Sequence, residues 1–81
     1  MTTEEYILKK LDNLSEVDKV LARNIVKNLG QWSSEKEVAS YLKRHKNTIY
    51  EKINANEVIS RTIGGRKLIY SPSIILLLRS N

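Results

Sequence analysis

Cysteine is absent from this 81-residue chain, and histidine occurs once, at His45. A disulfide frame and a Cys/His zinc site are therefore excluded, and the fold has to rest on its apolar core. No apolar run approaches the ~20 residues needed to span a bilayer, and the stretch Met1–Leu11 is charged throughout, unlike a signal peptide. The expectation is a soluble cytoplasmic protein with no membrane partner. Proline occurs once and glycine three times, and no linker, repeat or low-complexity tract divides the chain. A chain of this length makes a single domain, 1–81, which buries only about 60% of its unfolded surface.

What is present is charge, and it is unevenly spread. The net charge is +5, from 14 Lys and Arg against 9 Asp and Glu. Residues 1–40 carry six basic and seven acidic side chains, a net of −1, whereas residues 41–81 carry eight basic and two acidic, a net of +6. That asymmetry points to a polyanion meeting one part of the chain, against the plainer reading of ordinary solubilising charge.

The pattern predicts a mainly α protein. An N-terminal helical extension, 1–30, holds two helices. Thr2 with Glu5 forms a capping box ahead of Tyr6, Ile7, Leu8 and Leu11, and Ser15 with Asp18 opens the second helix, which Gly30 ends. In that helix Val17, Leu21, Ile25 and Leu29 recur every four residues, with Ala22 and Val26 widening a stripe that protein should cover. Both helices either close the core of the domain or form a dimer or partner surface. A second pair of helices is expected over 34–55. Ser34 with Glu37 caps the first, which has an apolar edge of Val38, Ala39 and Leu42. The second runs from about Lys46 to Ala55, with Ile49 and Ile53 inward and Lys46, Asn47, Tyr50, Glu51 and Asn54 outward or sideways.

A two-stranded hairpin follows over 58–70, Val58–Ile63 and Arg66–Tyr70, turned by Gly64-Gly65, a pair that permits the positive φ angles of a tight turn. Ser71-Pro72 then reads as the N-cap and first-turn proline of a last helix, 72–79, whose run Ile74-Ile75-Leu76-Leu77-Leu78 is apolar on every side. That run needs cover all round, with the N-terminal helices as the obvious source.

Residues 34–70 resemble the excisionase-type winged helix-turn-helix proteins, relatives of the DNA-binding domains of MerR-type regulators. The likeness rests on Glu37-Val38-Ala39-Ser40-Tyr41-Leu42, Asn47-Thr48-Ile49-Tyr50, Asn56-Glu57-Val58 and Ile63-Gly64-Gly65-Arg66-Lys67, without gaps. It departs from the family at Lys43, where a small residue such as Gly is usual, and at His45, where a Ser-like cap is usual. The resemblance implies a second helix in the major groove, a wing on adjacent DNA, and work as a recombination factor or transcription regulator, often on a mobile genetic element.

The chemistry of the residues agrees with that implication. Lys43, Arg44, Lys46, Lys52, Arg61, Arg66 and Lys67 fall in the turn, the second helix and the hairpin, where they would share a phosphate-binding surface. Asn47 has the paired donor and acceptor that match adenine, Lys46 suits guanine, and Thr48 suits a base or the backbone. Plainer roles compete: Thr48 as a first-turn stabiliser, Lys52 as a solvated charge, and Tyr50 as a half-buried packing residue, the reading preferred for it. Arg66, directly after the glycines, is the strongest single candidate.

No catalytic group, cofactor or metal is expected. His45 lies between Arg44 and Lys46 with no carboxylate to orient it, and Gly64-Gly65 precedes a strand where a nucleotide-phosphate loop precedes a helix. So small a domain would need a homodimer, tandem sites or a larger recombination or replication protein for useful specificity. The competing reading is an accessory subunit of such a replication or recombination enzyme, a polymerase or primase partner, holding single-stranded or nonspecific DNA. Aromatic platforms for single strands are few, with one Trp and four Tyr. A protein-only interaction module is a poorer third reading.

Overall fold

The structure is a computed structural model that describes residues 2–79; residues 1, 80 and 81 of the expected 1–81 domain lie outside the described residues. It is mainly helical, with a small antiparallel sheet. Helix α1, Thr3–Asp12, begins at a complete capping box. Thr2 Oγ1 accepts from the Glu5 N–H and Glu5 Oε1 accepts from the Thr2 N–H, both at 3.1 Å. Helix α2, Glu16–Leu29, starts where Ser15 Oγ accepts from the Asp18 N–H at 3.2 Å and ends at Gly30.

The expected stripe on α2 does not face the core along its whole length. A step of four residues turns about 40° past a full circle, so such a row winds around the helix. The straight inward face is instead formed by Ala22, Ile25 and Leu29, while Val17 stands 69% exposed with Val20 and Leu21 beside it.

A strand absent from the expected architecture follows: β1, Trp32–Ser34. Helices α3, Glu35–Leu42, and α4, Lys46–Asn54, come next, then strands β2, Ser60–Ile63, and β3, Arg66–Tyr70. The hairpin β2–β3 was expected to be two-stranded, but β1 pairs antiparallel with β3 and makes a three-stranded sheet in the order β1-β3-β2. Trp32 stacks beside its cross-strand neighbour Tyr70, ring centroids 5.3 Å apart. The first strand of the hairpin begins later than expected. Val58 and Ile59 are buried loop residues, and the Ile59 N–H bonds to Ser73 Oγ at 3.2 Å.

The chain then makes a 3-10 turn, Ser71–Ile74, before a short helix α5, Ile75–Arg79. Ser71 was expected to cap a single helix over 72–79, but its hydroxyl is occupied elsewhere. Ser33 and Ser71 Oγ form a buried hydrogen-bonded pair at 2.8 Å, and Ser73 Oγ donates to the Tyr70 carbonyl at 2.6 Å. With the Ser71 N–H on the Gln31 carbonyl at 2.8 Å, these bonds tie the sheet to the C-terminal segment.

One core draws on every layer: Leu14, Ile25, Val38, Ala39, Ile49, Ile53, Val58, Ile69, Ile74 and Ile75. The apolar C-terminal run is covered only in part: α1 and α2 pack against the 3-10 turn and α2 against α5, whereas Leu76 and Leu77 are half-buried and Leu78 is exposed. Ile74 and Ile75 are wholly buried, each contributing about 1.5–3 kcal/mol. Among the described residues no helix is long and apolar enough to cross a membrane.

Candidate nucleic-acid interface

The turn between α3 and α4 is built by backbone bonds and one unusual cap. Lys43 adopts a left-handed conformation (φ 55°), which lets the Lys43 and Arg44 N–H groups close on the Ser40 and Ala39 carbonyls at 3.2 and 2.9 Å. His45 then caps α4, its Nδ1 accepting from the Asn47 N–H at 3.2 Å. In the neutral ring this leaves the proton on Nε2. The imidazole thus fills the place of a Ser cap and presents Lys46 and Asn47, both exposed, at the first turn.

At helical spacing the residues of α4 outside the core divide into three rows. Asn47, Glu51 and Asn54 form the outermost row, all exposed. Glu51 and Asn54 belong to the outward set expected as the reading face; the place of Glu51 between two asparagines puts an acceptor suited to cytosine N4 in the middle of this row. A second row, Lys46 and Tyr50, turns toward the hairpin, where the Lys67 ammonium lies over the Tyr50 ring at 5.7 Å from its centroid. Tyr50 is 51% exposed, and the packing role expected of it is a half-buried one, as a platform for Lys67. A third row, Thr48 and Lys52, lines a groove with Arg44, Leu42, Leu77 and Leu78 at the side of α5. Lys52 is also paired with Glu57 at 3.5 Å.

In the hairpin, Gly64 and Gly65 hold φ of 58° and 80°, as the two-residue turn requires. Cross-strand pairing sets which side chains share a face. Lys67 pairs with Thr62 on the face toward α4, while Arg61 with Leu68 and Ile63 with Arg66 lie on the other face. Arg61 is not a free cation. Both of its guanidinium nitrogens engage Glu4 of α1, with Nη2 donating to Oε1 at 2.9 Å. Arg66 stands nearer α3. The Glu37 carboxyl is held below its ordinary value of 4.5 chiefly by hydrogen bonds from the Ser34 backbone and side chain, and the Arg66 charge adds to the effect.

The ten candidate residues therefore do not act as one set. Lys46, Asn47, Tyr50 and Lys67 come together along α4 and the hairpin, with Lys43 in the turn that precedes α4 and Arg66 across the hairpin tip, while Arg44 lines the groove on the α5 side. Thr48 turns into the groove. Lys52 and Arg61 spend their charge on Glu57 and Glu4. Among the described residues, Lys43, Arg44, Lys46, Arg66 and Lys67 have no carboxylate within 4 Å. Nor is any group of three or more His, Cys, Asp or Glu arranged there to hold a metal ion.

No protein-family model, curated protein or solved structure matches this chain.

Proposed function

We propose that this is a small duplex-DNA-binding protein of the winged helix-turn-helix kind, with α4 in the major groove and the β2–β3 hairpin as a wing on adjacent DNA. The contact of Lys67 with Tyr50 carries the reading, because it brings one unpaired cation of the wing beside α4, while Arg66 extends the positive charge to the other face of the hairpin. Lys43, Arg44, Lys46, Arg66 and Lys67 supply phosphate contacts, while Asn47, with Glu51 and Asn54 on its row, reads base edges. The protein has no catalytic role in this reading. Its resemblance to excisionases favours work in recombination or transcription control on a mobile element.

Titrating mixed-sequence duplex and single-stranded DNA at two salt concentrations tests the proposal. A preferred duplex sequence that persists at the higher salt is the expected result; equal affinity for all sequences, or preference for single strands, overturns it. Arg66→Ala with Lys67→Ala should weaken binding to all sequences alike and flatten its salt dependence by roughly two charges. Undiminished binding by that double variant would remove the wing from the interface.

A second reading, an accessory subunit of a replication or recombination enzyme, is favoured by the exposed apolar face of α2 at Val17, Val20 and Leu21. It predicts nonspecific or single-strand binding together with a partner seated on α2.

A further inference from the structure

We infer that Ile63 is an apolar wedge that the wing drives into the minor groove at a deformable base step, so that the protein selects DNA by its ease of bending as well as by its base edges. The inference rests on the DNA-binding reading above and assigns the wing a substrate preference.

Isoleucine is the core residue of this protein. Of nine in the chain, Ile7, Ile25, Ile49, Ile53, Ile59, Ile69, Ile74 and Ile75 are buried, and Ile63 alone is not, at 57% exposure. It is the last residue of β2 and pairs with Arg66 directly across the ladder, so the exposed apolar group is held beside a cation. The turn after it adds no bulk, since Gly64 and Gly65 carry no side chain, and no other part of the protein crowds it, open space surrounding both positions. The tip is thus narrow, and apolar and cationic at once.

Dimensions agree with insertion. Ile63 lies three residues beyond Ser60, the half-buried start of β2, which at ~3.4 Å per residue carries it roughly 10 Å out, against a minor-groove depth of about 7.5 Å. Width is the constraint. Two strands lie ~4.8 Å apart before side chains are added, and the groove is only about 6 Å wide, so a ribbon entering tip first must open it. Partial unstacking of a base step by an inserted aliphatic side chain opens the minor groove and kinks the duplex toward the major groove. Pyrimidine–purine steps, TA and CA/TG, yield most readily. Arg66 on one face of the ribbon and Lys67 on the other are then positioned to meet the phosphates of the two groove walls.

A plainer role for Ile63 is strand propensity, which threonine supplies equally well. The full chain is therefore compared with Ile63→Thr and Ile63→Leu, by selecting bound fragments from random duplex DNA and by energy transfer across end-labelled selected duplexes. The parent should select a TA or CA/TG step at a fixed distance from the bases read by α4 and bend the duplex by roughly 20° or more. Ile63→Leu should keep both properties. Ile63→Thr should keep the bases read by α4 but lose the step preference and at least half of the bend. A parent that leaves its selected duplex straight, or a threonine variant that selects and bends as the parent does, overturns the wedge and leaves DNA binding intact. Failure of the parent to bind duplex DNA at all overturns both. The bend and step preference of the parent are readable even if the threonine variant fails to fold.

Discussion

Lys43 is a lysine at a position whose backbone favours glycine (φ 55°), and the cost of a Cβ there is opposed by nothing else in the turn. Left-handed backbone costs a non-glycine residue roughly 1–2 kcal/mol, part of which is offset by the lower entropy of the unfolded lysine chain. Lys43→Gly should therefore stabilise the protein by up to about 1 kcal/mol in urea denaturation. The same change should weaken DNA binding and reduce the salt slope by about one charge. Stability rising while affinity falls would identify a residue kept for its ammonium group. His45 has a similar double character, closing the Asn47 N–H with Nδ1 while its ring adds a donor to a cationic turn.

At the scale of elements, two helices depend on ionised caps. Glu5 is held below the ordinary carboxylate value by hydrogen bonds from the Thr2 backbone and side chain, and Glu37 in the same way by Ser34. Because the folded pKa is the lower one, these carboxylates contribute stability that is fully present above the ordinary value of 4.5 and is lost as pH falls through the lowered folded value. Glu5→Gln combined with Glu37→Gln keeps an acceptor in each capping box and should flatten the loss of stability in that acid range, followed by denaturation at several pH values. The buried serines act across elements. Ser71→Ala leaves the Ser33 hydroxyl without its 2.8 Å partner and should cost about 1–3 kcal/mol. Adding Ser33→Ala should recover part of that loss, which a double-mutant cycle measures.

For the whole molecule, the decisive property is the division of cations between structural pairs and a free surface. Arg61 fastens the base of the hairpin to α1 through Glu4, and Lys52 fastens α4 to the loop after it through Glu57. Both pairs are substantially exposed, so each is worth at most about 1 kcal/mol, yet each removes a cation from phosphate binding. The five candidate-site cations without a carboxylate partner, Lys43, Arg44, Lys46, Arg66 and Lys67, set the expected electrostatic footprint. The logarithm of the affinity for duplex DNA should fall against the logarithm of salt concentration with a slope of about −4 to −5. A slope near −6 or steeper would mean that Arg61 or Lys52 leaves its carboxylate on binding.

The local signals in this chain were strong, and they determined its elements. Hydroxyl and acid three residues apart marked the starts of α1, α2 and α3, and Gly64-Gly65 marked the hairpin turn, because caps and tight turns are satisfied by neighbours in sequence. The excess of cations after residue 40 was likewise legible without coordinates. What depended on distant partners was not. β1 is three residues long, too short for an alternating pattern, and exists because β3 lies beside it. Ser71 is an ordinary helix cap by its context, but Ser33, 38 residues away, takes its hydroxyl. The four-residue row on α2 is apolar throughout, but only packing decides which part of a winding stripe is buried. The candidate surface followed the same division. Its cations were visible as residues, but which remain free was decided by Glu4, Glu57 and Tyr50, since ion pairs and ring contacts form between side chains that the fold brings together.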